Sequence, residues 1–240
     1  MSGRDKIPQR AGQGAPAASS QEEIASFLQE VRARAPAKPA GVRGRLIFSM
    51  DATMSRQPTW DRAQHLQAEM FHATADIGGL DVQLVFYRGF RECKASRWVS
   101  EPRRLAGLMS KVECRGGYTQ IGRVLSHVLK EAGKAPVQAV VHVGDACEED
   151  IDALCDKAGR IAMLGVPVFM FQEGDDPVAG RAFAEIARLT GGAHCRFDSS
   201  AAAQLKELLC AVAVYAAGGR AALEKSGGAG ARLLLEKMGR

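Results

Sequence analysis

The chain has 240 residues, of which 46% are hydrophobic and 25% are charged, a composition typical of a soluble globular protein with one large domain or two small ones. Its net charge of +5 comes from the ends, because residues 1–42 contribute +2, residues 220–240 contribute +3, and the body between them is neutral. This distribution lacks the concentrated positive surface of a nucleic-acid-binding protein, and no apolar run reaches the about 20 residues of a membrane helix. We therefore expect neither a nucleic-acid nor a membrane partner.

The first part of the chain is expected to be an extension. Residues 1–20 are rich in Gly, Ala, Gln, Ser and Pro and lack apolar periodicity, so we expect residues 1–42 to be flexible. Apolar residues at helical spacing predict one short helix over 21–35, either docked loosely or bound to a partner. Residues 1–10 carry mixed charge without the apolar core of a signal peptide, which favours a cytoplasmic location. The six cysteines are widely spaced without a C-x-x-C pair, which favours reduced thiols.

From residue 43 onward, short apolar runs alternate with amphipathic stretches, the pattern of strands and helices in a mostly parallel sheet. We predict strands at 45–50, 82–87, 137–143, 166–171 and 193–197, with 90–99 as an antiparallel hairpin partner at the sheet edge. We predict helices at 59–76, 102–112, 119–131, 148–161, 177–190 and 200–217. The expected fold is a doubly wound α/β domain over 43–219, with helices on both faces of the sheet. The Gly-rich, basic segment 220–240 is expected to be a flexible tail.

Three short oxygen-bearing side chains, Asp51, Thr53 and Ser55, follow the first predicted strand. Ligands in an open parallel sheet gather beyond the carboxyl ends of the strands, where the connecting loops converge. Two further oxygen-bearing residues, Thr119 and Asp145, lie in such loops. Because Mg²⁺ prefers a shell of hydroxyl, carboxylate and water oxygens, these five residues predict a site for a hard cation.

These residues resemble the metal-ion-dependent adhesion site of the von Willebrand factor A (VWA) domain family, which is built from Asp-x-Ser-x-Ser, a distant Thr and a distant Asp. The matching segments are Asp51-Ala52-Thr53-Met54-Ser55, Gly116-Gly117-Tyr118-Thr119, Val140-Val141-His142-Val143-Gly144-Asp145 and Leu189-Thr190-Gly191-Gly192. The resemblance covers residues 43 to about 217 and implies the Rossmann-like VWA fold, of the intracellular bacterial type. Thr53 stands where Ser is usual, which keeps the hydroxyl and adds a methyl group.

The resemblance also implies roles for these residues. The hydroxyls of Thr53 and Ser55 coordinate Mg²⁺ or Mn²⁺, Thr119 binds directly or through water, and Asp51 and Asp145 hold ordered waters or the ion. The remaining coordination position attracts a carboxylate, so the implied partner is a protein that presents Asp or Glu. The rim of this partner-binding surface is expected at Gly117, Tyr118 and Glu148. The implied function is a divalent-cation-dependent protein-interaction module rather than an enzyme, with an adaptor role for an AAA+ ATPase or other assembly machinery as one such use.

Two other functions stay open. An Asp after the first strand is also the nucleophile of Mg²⁺-dependent phosphotransfer hydrolases, but Thr53 occupies the place of their second acid, and no G-x-x-x-x-G-K-[ST] loop is present. The other alternative is a metal-independent interaction domain. The acidic cluster from Glu148 to Asp152 is interpreted as charge that offsets the positive end of the following helix.

Overall fold

A computed structural model describes residues 43–198 and 202–238, and the helix expected at 21–35 lies outside this part of the chain. Six strands form one sheet in the order β3-β2-β1-β4-β5-β6. The strands are β1 Gly44–Asp51, β2 Leu80–Arg88, β3 Glu92–Val99, β4 Ala139–Gly144, β5 Val168–Glu173 and β6 His194–Phe197. All neighbours pair in parallel except β2 and β3, which form an antiparallel hairpin at the sheet edge. The predicted mostly parallel α/β fold with one antiparallel edge strand is confirmed.

Helices cover both faces of this sheet. They are α1 Gln57–His72, α2 Pro102–Met109, α3 Ile121–Ala132, α4 Ile151–Met163, α5 Pro177–Thr190, α6 Ala202–Ser226 and α7 Ala229–Met238. Helices α1, α2, α6 and α7 pack on one face, and α3, α4 and α5 pack on the other. Alternate residues of β1 serve the two cores, with Phe48 facing the first and Ile47 the second, as the period of a strand requires. Within the described residues, every helix is too short or too polar to cross a bilayer.

The C-terminal segment differs from the flexible tail expected from residue 220. Helix α6 continues to Ser226 through a break at Gly219, and α7 follows after two residues. Leu223 and Leu234 are fully buried in the same core as α1. A Cβ on Gly230 would lie 2.4 Å from the carbonyl oxygen of Glu207, so the glycine allows α7 to pack closely on α6. The high glycine and alanine content, which suggested disorder, instead permits tight helix packing.

The strand order determines where a ligand site lies. The chain runs from β1 outward to β2 and β3, and then crosses back to place β4 on the other side of β1. This reversal opens a crevice beyond the carboxyl ends of β1 and β4, the usual ligand position in such sheets. The loops after Asp51 and Gly144 therefore face each other across the crevice.

Candidate metal centre at the carboxyl edge of the sheet

The crevice beyond β1 and β4 contains a cleft of about 250 Å³. Its lining residues are Asp51, Thr53, Met54, Ser55, Gly116, Gly117, Thr119, Asp145, Ala146 and Glu148. All five residues expected to hold a cation are in this set, together with Gly117 and Glu148 of the expected rim. Tyr118 lies beside the cleft, with 59% of its surface exposed. The structure thus brings together side chains that come from three separate loops.

The loop after β1 brings the side chains of Asp51, Thr53 and Ser55 toward one another. Asp51 ends the strand, and its Oδ1 accepts a hydrogen bond of 2.7 Å from the backbone N–H of Thr53. A short 3-10 helix, Met54–Arg56, then folds the chain back, so that the hydroxyl oxygens of Thr53 and Ser55 lie 3.5 Å apart. In a continued strand, these side chains would instead follow one face at the spacing of alternate residues.

Asp145 joins this group from the loop after β4. The hydroxyl of Ser55 donates to Oδ2 of Asp145 at 3.1 Å, a contact between residues 90 positions apart in the chain. This hydrogen bond links the β1 and β4 loops directly. One hydroxyl and one carboxylate of the expected ligand set are therefore already oriented toward each other.

Thr119 is held by a reciprocal pair of hydrogen bonds with Glu148. The backbone N–H of Thr119 donates to Oε2 of Glu148 at 2.9 Å, and the backbone N–H of Glu148 donates to the Thr119 hydroxyl at 3.0 Å. Thr119 precedes α3, which begins at Ile121 rather than at the expected residue 119. The hydroxyl keeps its own proton and one lone pair for a further contact.

The acidic residues after Asp145 serve two different helices. This corrects the interpretation that all of them offset the positive end of the helix that follows them. Asp150 does cap α4, since its Oδ1 accepts from the N–H of Ala153 at 2.8 Å. Glu149, however, accepts from the N–H of Gly122 at 2.9 Å, and so serves the start of the neighbouring helix α3. Glu148 and Glu149 therefore fasten the Thr119 loop to the Asp145 loop.

The carboxyl group of Asp51 is buried and incompletely satisfied. Its Oδ2 atom has no hydrogen-bond partner among the described residues, and the hydroxyl of Tyr87, its register neighbour on β2, has none either. Burial raises the pKa of Asp51 to about 6, against the lowering effect of its hydrogen bonds with Thr53. Burial also raises the pKa of Tyr87, and the nearby Asp51 carboxylate adds to this effect. A buried carboxylate oxygen without a donor is an unfavourable arrangement that a cation would relieve.

Arg56 is a site residue that the sequence analysis missed. Its guanidinium is almost fully buried beneath the cleft, where Nη1 pairs with Glu173 at the end of β5 and lies 3.7 Å from Oδ2 of Asp145. Thr59 donates a hydrogen bond to the same Glu173 carboxylate. The Nε and Nη2 atoms of Arg56 have no partner within the described part of the chain. Only its place directly after Ser55 could have drawn attention to it, because its partner Glu173 lies 117 residues later.

The donor set fits a hard cation. Three hydroxyls and three carboxylates line one cleft, and one carboxylate oxygen, Oδ2 of Asp51, has no hydrogen-bond partner among the described residues. Across residues 43–198 and 202–238, no group of three or more His, Cys, Asp and Glu side chains could hold a metal ion. A cation at this position would therefore need hydroxyl, backbone or water oxygens in addition to the carboxylates.

No family model and no curated protein matches the chain, whereas solved structures do. The chain superposes on proximal thread matrix protein 1 from the mussel byssus with a TM-score of 0.57 and 18% identity, covering 74% of this chain and 49% of that one. A form of the same mussel protein with a zinc-occupied MIDAS motif matches with a TM-score of 0.55 and 17% identity, over the same shares of the two chains. The present chain therefore spans about half the length of the mussel protein.

A further match is the VWA domain of SpRpn10, with a TM-score of 0.52 and 15% identity over 68% of this chain and 95% of that domain. At such low identities, these likenesses establish the VWA-type fold and leave the activity to be argued from the residues.

Proposed function

We propose that the cleft binds a divalent cation, Mg²⁺ or Mn²⁺, and that the bound ion captures an Asp or Glu side chain of a partner protein. Asp51, Thr53, Ser55, Thr119 and Asp145 would hold the ion. The observation that carries the proposal is the buried Oδ2 of Asp51, which has no donor within the described residues and belongs to a residue that lines a cleft together with three hydroxyls and two further carboxylates. A zinc-occupied MIDAS in the mussel byssus protein supports cation binding by this fold.

The residues of the cleft have different roles in such a site. Asp51 supplies negative charge and orients Thr53, while Ser55 and Asp145 hold each other across the two loops. Glu148 fixes the Thr119 loop through the backbone of both residues. The cation, when bound, supplies a positive centre with an exchangeable position that attracts a carboxylate from outside. The site thus serves binding rather than turnover, and an adaptor for an AAA+ ATPase or assembly machinery within the cytoplasm is one use consistent with it.

Thermal unfolding with Mg²⁺, with Mn²⁺ and with EDTA tests the cation site. A cation at one hundred times its Kd stabilises the native state by about 2.7 kcal/mol, and we expect this stabilisation in the natural chain. Asp51→Ala should remove it entirely. Because burial already disfavours the charged carboxylate, this variant should remain folded in EDTA. Asp81→Ala, at the opposite end of β2, is the matched control and should keep the full effect.

Partner capture is tested by affinity purification from lysate with Mn²⁺ or EDTA, using the natural chain and Asp51→Ala as baits. We expect specific partners to elute with EDTA and to be absent from the variant. Equal retention under all conditions would contradict a metal-bridged contact.

A metal-independent interaction domain is the second candidate, and Arg56 is the observation that favours it. Its buried guanidinium already places positive charge beside Asp145, so the fold neutralises part of its carboxylate cluster without a metal ion. Under this alternative, the melting temperature would be the same in Mn²⁺ and in EDTA.

A further inference from the structure

Three large hydrophobic side chains stand exposed around the cleft. Met54 lines the cleft and is 65% exposed, while Tyr118 lies between the two lining residues Gly117 and Thr119. Phe90 is 71% exposed, and its ring meets that of Tyr118 edge to face at a centroid distance of 5.4 Å. We call these three residues the apolar rim. They account for three of the seven large hydrophobics exposed on the described residues, although they come from three different loops.

The apolar rim is anchored to the loop that carries Thr119. Phe90 occupies the turn between β2 and β3, and the N–H of Tyr118 donates to the carbonyl of Gly89 in this turn at 3.3 Å. The buried amide of Gln120 donates to the carbonyls of Arg88 and Gly89 at 3.2 and 3.1 Å. The hairpin turn and the cleft loop therefore form one structural unit.

Two glycines make this close contact possible. Gly89 adopts a φ of +58°, in the left-handed region that favours glycine. A Cβ on Gly117 would lie 2.1 Å from the carbonyl oxygen of Gly89, so any larger residue would push the hairpin away from the cleft. The two rings are thus held in place before any partner arrives, which lowers the entropic cost of binding.

Two arginines lie close to the apolar rim, and one of them, Arg115, pairs with the exposed Glu113 at 3.3 Å. The exposed residues Arg91 and Arg115 directly follow Phe90 and precede Gly116 in the sequence. The N–H of Arg115 also donates to the carbonyl of Ala52 in the β1 loop, which keeps this residue close to the cleft. Aromatic residues, Met and Arg are enriched at the centres of protein interfaces, and the apolar rim and its neighbouring arginines share this composition.

We propose that the apolar rim determines the specificity of the cleft by binding a large apolar side chain that neighbours the captured carboxylate in the partner sequence. This inference rests on the proposed capture of an acidic residue. Tyr118 directly adjoins the cleft in sequence, and an extended chain rises about 3.3 Å per residue, so the apolar residue should lie about one to three positions from the acid. The partner is thus an exposed protein segment that combines Asp or Glu with a neighbouring Leu, Ile, Met, Phe, Tyr or Trp.

Selection from a library of displayed random peptides tests this inference, with the natural chain in Mn²⁺ as bait. We expect enrichment of an acid with a large apolar neighbour. The double variant Phe90→Ser/Tyr118→Ser should keep the acid preference, lose the apolar preference and bind the selected peptides about tenfold more weakly. Met163→Ser is the matched control, because Met163 is 70% exposed on α4, far along the chain from these loops. It should behave like the natural chain.

Thermal unfolding in Mn²⁺ separates the apolar rim from the cation site, since the double variant should keep the full metal-dependent shift. Enrichment of acids without apolar neighbours, an unchanged affinity of the double variant, or no enrichment at all would overturn the role of the apolar rim. Selection that is indifferent to EDTA and to Asp51→Ala would instead overturn the cation-bridged function. In that case, loss of the apolar preference in the double variant would still support the apolar rim as a binding surface.

Discussion

Polar groups are paired differently at the two ends of the strands, which we call the amino edge, where the parallel strands begin, and the carboxyl edge, where they end. At the amino edge, Asp81 accepts from Arg43 at 2.6 Å and from Ser100 at 2.7 Å. There too, Glu131 accepts hydrogen bonds from Trp98 and Lys134. At the carboxyl edge, by contrast, buried polar atoms of Asp51 and other residues have no partner within residues 43–198 and 202–238. The charges at the amino edge thus pair with one another, whereas the carboxyl edge contains the polar atoms to which we assign the proposed cation.

The buried atoms without partners are concentrated around the cleft. Of the eight such side-chain atoms among the described residues, one, Oε1 of Gln67, lies in the middle of helix α1. The other seven belong to Asp51, Arg56, Tyr87, Arg88, Gln120 and His142. Native proteins leave few buried polar atoms unpaired, so atoms of this kind are expected to bind a water molecule or a ligand.

The largest effect is expected from breaking the buried ion pair under the cleft. Arg56→Met leaves the buried Glu173 carboxylate without its positively charged partner and with only the Thr59 hydroxyl as a donor, and it should destabilise the protein by about 3–5 kcal/mol in urea unfolding. The double variant Arg56→Met/Glu173→Gln removes both charges and should recover most of this loss. A loss below about 1 kcal/mol for Arg56→Met would show that the carboxyl edge does not depend on this guanidinium.

A smaller effect should follow from acid through His142. This residue lies beneath the cleft between the rings of Tyr87 and Phe183, and its Nδ1 is 3.1 Å from the hydroxyl of Ser49. Burial lowers the pKa of His142 to about 3, and the positive charge of Arg56 adds to this effect. The unfolded chain therefore binds the proton first, so stability falls as the pH drops below about 6.5. Between pH 7 and pH 5, the natural chain should lose about 2 kcal/mol more than His142→Gln.

Comparing the natural chain with His142→Gln measures the contribution of the His142 imidazole to the pH dependence of stability. Asp51 acts in the opposite direction, because a carboxyl whose pKa is raised on folding stabilises the native state as the pH falls toward its unfolded value. His194, whose pKa burial lowers to about 4, acts in the same direction as His142. Both groups are present in the natural chain and in the variant. Equal pH dependence of the two unfolding free energies in metal-free buffer would contradict a buried neutral His142.

The smallest effect is expected at the amino edge. Arg43 pairs with Asp81 at a partly exposed position, so Arg43→Met should change the unfolding free energy by less than about 1 kcal/mol. Its cation-dependent melting shift should equal that of the natural chain. A loss above about 2 kcal/mol, or an altered shift, would remove the distinction between the two edges.

The apolar pattern predicted the fold because the central strands are covered on both faces. A doubly covered strand must be apolar throughout, and β1, β4 and β5 are recognisable for this reason. The pattern failed at the C-terminus. Helices α6 and α7 meet through small residues, and a pairing that depends on close backbone approach leaves little hydrophobic periodicity in the sequence.

The sequence by itself determined the order of the six strands and of the helices up to α6, and it identified the five oxygen-bearing residues that the loops bring to one cleft. These features depend on local spacing and on the rule that loops converge where the strand order reverses. Only the tertiary structure decided that Arg56 lies beneath the cleft, that Glu148 and Glu149 fasten Thr119, and that Phe90 stands against Tyr118. These contacts join residues from about 28 to more than 100 positions apart. Their pairing depends on how the elements pack, which no local pattern of residues records.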